Sequence, residues 1–139
     1  MKIFVFLLSL LLFDTLFASN NEWEELILQK MLHSISKSKN IAVYSKDKSL
    51  MHEFKNSDSI RSVASCQNCD FILAKDDVNS SCHKPTIVFS YYEYLNTPTA
   101  VGVFFWQKGR PTIRFSAKRL KHFDLQVRGE LSKFVSIND

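Results

Sequence analysis

The runs Phe-Ile-Leu-Ala at residues 71–74 and Thr-Ile-Val-Phe at residues 86–89 are short, largely apolar and followed by polar residues. Successive side chains of a β-strand point to opposite faces, so runs without polar alternation predict strands that are buried on both faces. Such strands are typical of parallel sheets covered by helices. A third run, Ile-Ala-Val-Tyr at residues 41–44, has the same character. Together the three runs predict an α/β domain.

An amphipathic helix is predicted directly before the strand at residues 41–44. From residue 21 to about residue 37, apolar side chains recur at steps of three and four, which places them on one stripe of a helix. They are Trp23, Leu26, Ile27, Met31, Leu32 and Ile35. Shorter helices are predicted over residues 49–54 and 90–95, and a further strand over residues 60–65.

A β-hairpin is the clearest local pattern in the second half of the chain. Residues 101–106 and 111–115 read as strands, and residues 107–110 form a four-residue connection that contains a glycine. We expect this hairpin to form one edge of the sheet. Helical segments follow, the first with Ser116 as its N-cap. The predicted fold is a three-layer α/β domain with a mixed sheet, an N-terminal amphipathic helix and a C-terminal β-hairpin plus helices.

The first residues have the pattern of a secretory signal peptide. Lys2 is followed by an apolar run that Ser9 interrupts and Asp14 closes, so the run is too short for a bilayer that needs about 20 apolar residues. Residues 1–18 are therefore predicted to be a signal peptide, and residues 19–139 a single domain. The predicted location is the periplasm, after secretion across the inner membrane.

The C-terminal quarter of the chain is basic. Between residues 108 and 133, Asp124 and Glu130 are outnumbered by eight basic residues, which are Lys108, Arg110, Arg114, Lys118, Arg119, Lys121, Arg128 and Lys133. Such a patch attracts anionic surfaces without selecting among them, and the alternative is a solvated face that keeps the protein soluble. Export argues against nucleic acid as the partner. A membrane or envelope protein with an acidic or apolar surface fits best, and peripheral membrane association and a homo-oligomer are both compatible with the sequence.

The three cysteines, Cys66, Cys69 and Cys82, predict one disulfide and one free thiol in an oxidising compartment. The pairing stays open; a bond from Cys82 to Cys66 or Cys69 would close a loop of roughly fifteen residues and stabilise the domain by about 3 kcal/mol. A strand pattern follows Cys69, whereas a catalytic C-x-x-C motif begins a helix, so a structural disulfide is favoured over redox catalysis. Metal binding by the three cysteines and His83 is disfavoured because adjacent Cys82 and His83 converge poorly on one tetrahedral ion.

No catalytic constellation is evident, and we predict no enzyme activity, cofactor or metal. His33, His52 and His122 are far apart in the sequence, and no spacing links them to a serine or a carboxylate. No glycine-rich phosphate loop is present either. Two further hypotheses are a small-ligand-binding domain and, less favoured, a thiol enzyme that uses the C-x-x-C motif.

Aromatic residues cluster between Tyr91 and Trp106. On a strand, Phe104 and Trp106 face one way and Phe105 the other, so one set fills the core while the other is available for exposure. Exposed aromatic side chains beside basic ones have the composition of an interface hot spot. The predicted partner-binding residues are Phe104, Trp106, Lys108, Arg110 and Arg114. The alternative is that helices on both faces bury every ring.

Several stretches resemble the YfiR-like family of small periplasmic proteins. The similar stretches are residues 69–73 (CDFIL), 85–88 (PTIV), and 102–105 (GVFF) through 113–115 (IRF), followed by Leu125-Gln126-Val127 and Leu131. The sequence departs from the family at Val101-Gly102, where the family has paired glycines, and at Ser116-Ala117, where it has an asparagine after the arginine-phenylalanine strand.

The resemblance implies a non-enzymatic periplasmic regulator. Such a regulator binds the extracytoplasmic part of a membrane signalling protein that makes cyclic di-GMP. The alternative function is a structural accessory subunit of an envelope-spanning machine, such as a secretion or flagellar motor apparatus.

We expect the exported protein to begin at Ser19, because Ala18 supplies the small residue that signal peptidase requires before its cut. N-terminal sequencing of protein released by osmotic shock measures this directly. An uncut chain recovered from the cytosol, with all three thiols reduced, would contradict the export prediction.

Overall fold

A computed structural model of the chain describes residues 20–55, 57–75 and 82–139. These residues form an α/β domain with one seven-stranded mixed sheet in the order β2-β1-β3-β4-β5-β6-β7. The fold class predicted from the sequence is confirmed. The predicted signal peptide at residues 1–18 lies outside the described residues. Within those residues, no helix combines the length and the apolar character needed to cross a bilayer.

The strands agree with the apolar runs of the sequence, and the first five run parallel to one another. Their order, 2-1-3-4-5, is that of doubly wound flavodoxin-like sheets, which is a statement about fold alone. The strands are β1 (Ile41–Tyr44), β2 (Ile60–Ser62), β3 (Phe71–Ala74), β4 (Thr86–Val88), β5 (Ala100–Gln107), β6 (Arg110–Ser116) and β7 (Val135–Ser136).

The helices lie close to where the sequence predicts them. They are α1 (Asn20–Ile35), α2 (Lys48–Glu53), α3 (Tyr91–Asn96) and α4 (Ala117–His122), with 3₁₀ turns at Cys66–Asn68 and Gly129–Phe134. Ser116 caps α4 as expected, because its hydroxyl accepts a hydrogen bond from the backbone N–H of Arg119 at 3.2 Å. Ser90 caps α3 in the same way through the N–H of Glu93.

The sheet separates two hydrophobic cores. The larger core contains the buried face of α1, Leu50 of α2 and Leu120 of α4, packed on alternate strand residues such as Leu73 and Ile87. The smaller core, on the opposite face, contains the other set, such as Ile72 and Val88, under Tyr94 of α3 and two of the cysteines. Neighbouring strand residues therefore belong to different cores, which explains why the strands are apolar throughout.

A bulge at the start of β5 explains the glycine in that strand. Thr86 lies opposite Ala100, but the next residue, Ile87, lies opposite Gly102, so the register shifts by one residue. A Cβ atom at Gly102 would come within 3.0 Å of the Phe115 ring and 3.1 Å of Ile87. A side chain at this position would require the Phe115 ring and the Ile87 side chain to shift by a few tenths of an ångström.

The hairpin connection is shorter than predicted. Gln107 pairs with Arg110, so the turn contains only Lys108 and Gly109, and the expectation of a four-residue loop is wrong. Both turn residues have positive φ, 50° for Lys108 and 74° for Gly109, which is the type I′ geometry that matches the twist of the strands. The sequence does not predict a two-residue turn here, because lysine rarely adopts positive φ.

The hairpin is also not the edge of the sheet along its whole length. β7 pairs in parallel with Phe115 and Ser116 at the end of β6. The expectation that the hairpin forms the edge therefore holds only for the part of β6 before Phe115. A two-residue strand such as Val135–Ser136 has no pattern that sequence reasoning detects.

The disulfide joins Cys66 to Cys82, which resolves the pairing that the sequence left open. Cys69 is a free, buried thiol. The bond connects the 3₁₀ turn before β3 to the segment that leads into β4. It therefore closes a covalent loop that contains β3.

We expect loss of this bond to destabilise the domain. Replacing Cys66 and Cys82 together by alanine should lower the free energy of unfolding by about 3 kcal/mol, because the unfolded chain regains the freedom of a loop of roughly fifteen residues. Urea denaturation measures the loss. Cys69→Ala is the matched control, and alkylation of the denatured but unreduced wild type followed by mass spectrometry should find a free thiol only at Cys69. A double variant as stable as the control would contradict the structural role.

Candidate functional site

The β5–β6 hairpin extends beyond the strands on either side of it. β4 pairs with β5 only as far as Val103, and β7 pairs with β6 only from Phe115 onward. Residues 104–113, which we call the hairpin arm, therefore pair with each other but with no other described strand. The arm projects from the carboxyl ends of the parallel strands.

One face of the arm changes from core to surface within two residues. Phe104 is only 1% exposed and belongs to the larger core, so its predicted place on a partner-binding surface is wrong. Trp106 points to the same side but is 42% exposed and does not belong to the larger core. Its ring meets that of Phe104 edge to face at 5.8 Å between centroids. Trp106 is thus held in position by the core and is still accessible.

The opposite face of the arm lies beside α3. Phe105 is half-buried, and its ring is 6.2 Å from that of Tyr91. Tyr91, Tyr92 and Leu95 are all exposed, Tyr92 by 72%. Sequence reasoning noted these tyrosines without assigning them to a surface. Tyr94 is the buried residue of α3, so it sets which side of this helix faces the core. Helical spacing then places Tyr92 and Leu95 on the outward side.

The tip of the arm is basic and its outer edge is blunted. Lys108 and Arg110 are exposed, and no acidic residue occurs in residues 104–113. Trp106 lies opposite Pro111, one pair beyond the pair that flanks the turn. At such a non-hydrogen-bonded pair the backbone groups point outward, and proline has no N–H to offer there. Addition of another strand to this edge is therefore disfavoured, and contact through side chains is favoured.

Arg114, the last predicted contact residue, is engaged within the protein. Its Nε donates to Oδ2 of Asp139 at 2.6 Å, and a second guanidinium nitrogen donates to Oδ1 at 3.0 Å. Tyr94 donates its hydroxyl proton to the same carboxylate at 2.8 Å. This bidentate pair ties the base of the hairpin to the C-terminal segment and to α3. Arg114 therefore positions the arm, whereas Trp106, Lys108 and Arg110 are the predicted residues that are free to meet a partner.

The protonation of this cluster follows from its contacts. Burial alone raises the pKa of the Asp139 carboxyl, but the hydrogen bonds from Tyr94 and Arg114 outweigh burial and lower that pKa below its usual value of 3.8. The pKa of Tyr94 is raised, first by burial and then by its hydrogen bond to Asp139. The carboxylate is thus charged and the phenol neutral at physiological pH.

A second arginine fixes the same region from the opposite side. The guanidinium of Arg119, on α4, donates to the backbone carbonyl oxygens of Tyr94 and Ala100, the latter at 2.9 Å. Its charged end also lies 5.1 Å from the centre of the Tyr94 ring. α3, the start of β5 and α4 are therefore joined through one side chain. Arg128 likewise donates to the backbone carbonyl of Ser36, so at least three of the eight C-terminal basic residues have structural roles.

The cysteines do not assemble a reactive thiol. Cys66 is bonded to Cys82 rather than to Cys69 within the C-x-x-C motif. Burial raises the pKa of the Cys69 thiol, and its Sγ donates to the carbonyl oxygen of Cys66 at 3.0 Å. A buried, protonated thiol is a poor nucleophile. Among residues 20–55, 57–75 and 82–139, no group of three or more histidine, cysteine or acidic side chains could hold a metal ion.

Two open grooves lie at the other end of the sheet, near the amino ends of the parallel strands. The larger, about 400 Å³, is lined by Ile35, Lys37, Lys121, Asp124, Leu125, Gln126 and Arg128. Across it, Lys37 donates to Asp124 at 2.8 Å, so part of its charge is neutralised internally. Five of its seven lining residues are polar or charged and the groove is open to solvent, unlike the enclosed pockets typical of small-molecule sites.

Comparison of the chain with protein-family models, with curated proteins and with solved structures found no match. A contact surface is therefore inferred from the geometry of the arm.

The Asp139 cluster generates a pH prediction. Asp139→Asn should lower the free energy of unfolding at pH 7 by about 2 kcal/mol, because two charge-assisted hydrogen bonds to Arg114 are lost. The pKa of the folded carboxyl is lowered, so its stabilisation is complete above the unfolded value near 3.8 and is lost as the pH falls through the lower folded value.

Urea denaturation at several pH values measures this effect. The difference between wild type and Asp139→Asn should be constant from pH 7 to about pH 5 and should shrink below about pH 4. Asp58→Asn, at an exposed position, is the control and should change little. A difference that grows on acidification would contradict the assigned role of Asp139.

Proposed function

We propose that this protein is an exported periplasmic protein that binds and regulates a membrane signalling protein through protein–protein contact. The observation that supports this most is the hairpin arm, which projects past its neighbouring strands and presents an exposed Trp106 beside Lys108 and Arg110. Phe104, Phe105 and Ile113 at the root of the arm pack in the cores, but residues 106–111 are all exposed and add little to either core. A contact role explains why this exposed part is present.

The chemistry of the arm specifies the kind of surface it would meet. Tryptophan and arginine are the residues most enriched at positions that dominate binding energy, and a large ring fixed by the core loses little freedom on binding. The basic tip favours an acidic patch, and the exposed rings favour an apolar one beside it. The proposed partner is therefore an envelope protein whose exposed surface combines an apolar pocket with an acidic rim.

The regulatory part of the proposal rests on the resemblance to YfiR-like proteins. That resemblance implies a partner in the inner membrane that makes cyclic di-GMP and whose extracytoplasmic part is bound by this protein. The signal-peptide pattern of residues 1–18 supports a shared compartment for the two surfaces.

The test is a pull-down from crosslinked cell envelopes with three matched variants of the protein. Trp106→Ala should reduce partner recovery at least about tenfold, since truncation of a hot-spot residue costs about 2 kcal/mol or more. Lys108→Glu with Arg110→Glu should also reduce recovery, most strongly at low salt. Lys39→Glu is the charge control, because this exposed residue precedes β1 and lies at the opposite end of the sheet.

Folding and signalling are measured alongside recovery. All variants should unfold within a few degrees of wild type, and cellular cyclic di-GMP should change when the arm is altered but not with Lys39→Glu. Equal recovery of wild type and Trp106→Ala would refute the arm as the contact surface. Recovery at fixed stoichiometry in the envelope pellet, with no change in cyclic di-GMP, would support the structural-subunit alternative instead.

A further inference from the structure

Two histidines from distant parts of the chain meet at the surface. His83 and His122 are separated by 39 positions, yet their Nε2 atoms are 2.9 Å apart. Both side chains are exposed. Neither residue is used by the proposed partner contact, since His83 precedes β4 and therefore lies at the end of the sheet opposite to the hairpin arm.

Both rings are held by covalent or packed neighbours. His83 follows Cys82, which the disulfide fixes to Cys66. His122 is the last residue of α4. The ring of Phe123 lies 5.1 Å from each histidine ring, so one half-buried aromatic side chain supports both. The two imidazoles meet nearly perpendicular, at 87°.

The distance between the nitrogens is what two ligands of one metal ion require. Imidazole nitrogen binds zinc at about 2.0–2.1 Å. Two such bonds that meet at the metal at roughly 90° to 110° place the nitrogens roughly 2.9–3.4 Å apart. A metal ion bound to both nitrogens would lie off the line that joins them, at the apex where two bonds of this length meet, and both imidazoles would have to present a lone pair to it.

We propose that His83 and His122 form a two-histidine site for a divalent late transition metal ion, of the class Zn²⁺, Ni²⁺ or Cu²⁺. Neutral imidazole is a ligand suited to these ions, whereas Mg²⁺ and Ca²⁺ prefer oxygen. No third protein ligand approaches among the described residues, so water completes the coordination.

The neighbouring charges set the expected strength of the site. Lys84 and Lys121 flank the two histidines in sequence, and their positive charge opposes a dication. The site should therefore favour the ions with the strongest bonds to nitrogen, in the order Cu²⁺ above Ni²⁺ and Zn²⁺. Bound metal would join the segment after the disulfide to the end of α4 and so stabilise the folded state.

The experiment is isothermal titration calorimetry, with thermal unfolding as a second measurement. The purified protein must carry no polyhistidine tag. CuCl₂, NiCl₂, ZnCl₂ and MgCl₂ are titrated separately. We expect one Cu²⁺ ion per chain, weaker binding of Ni²⁺ and Zn²⁺, and no heat from Mg²⁺. At a free metal concentration about tenfold above the dissociation constant, the unfolding temperature should rise by about 5 °C.

Variants decide the assignment. His83→Ala and His122→Ala should each weaken binding at least about tenfold and abolish the thermal shift. His52→Ala is the control, because His52 is an exposed histidine on α2 and should leave both measurements unchanged. Copper binding that survives the double replacement of His83 and His122, or an absence of heat from every transition metal with the wild type, would overturn the proposal. If an alanine variant failed to fold, the same histidine would be replaced by glutamine (His83→Gln or His122→Gln). Glutamine has a side chain of similar size but is a much weaker ligand for these metal ions.

Discussion

Strand β5 passes through two different environments along its eight residues. Its first half lies between β4 and β6 and contributes Val101 and Val103 to the two cores. Its second half has β6 as its only strand neighbour among the described residues. The length difference between β5 and the three-residue β4 is thus the constraint from which both the buried sheet and the exposed arm follow. A β5 that ended after Phe105 would leave the cores intact and remove the surface that the proposed function requires.

The base of the arm is held by an ion pair in addition to the neighbouring strands β4 and β7. Asp139 receives hydrogen bonds from Arg114 and Tyr94, and its backbone carbonyl accepts one from Ser116 at 3.0 Å. Side chains of β6, α3 and the C-terminal segment therefore converge on one carboxylate. Ion pairs of this kind, bidentate and partly buried, fix orientation more firmly than exposed pairs do. The root of the arm is rigid while its tip stays accessible. An arm held in this way would lose little conformational freedom on binding a partner.

The sequence patterns predict the buried strands, because burial requires apolar residues. They do not predict contacts between residues that are far apart in the sequence. The runs at residues 41–44, 71–74 and 86–89 are strands because a sheet covered on both faces requires continuous apolar residues. The two-residue turn was missed because Lys108 adopts a positive φ that lysine seldom has. Phe104 and Trp106 share a strand face, and only the packing of the folded chain separates the buried ring from the exposed one. Arg114 reads as a free base until Asp139, 25 positions away, is placed beside it. The histidine pair is invisible for the same reason.

The covalent ring closed by Cys66 and Cys82 contains β3, which lies between β1 and β4 in the interior of the sheet. Because β3 is part of this covalent ring, the disulfide limits how far β3 can separate from its neighbours when the sheet opens transiently. Backbone cleavage at any site between the two cysteines would therefore yield two fragments that stay tethered under oxidising conditions. The two fragments would separate only after a reductant broke the disulfide, so the consequence of such a cleavage depends on the redox state around the protein.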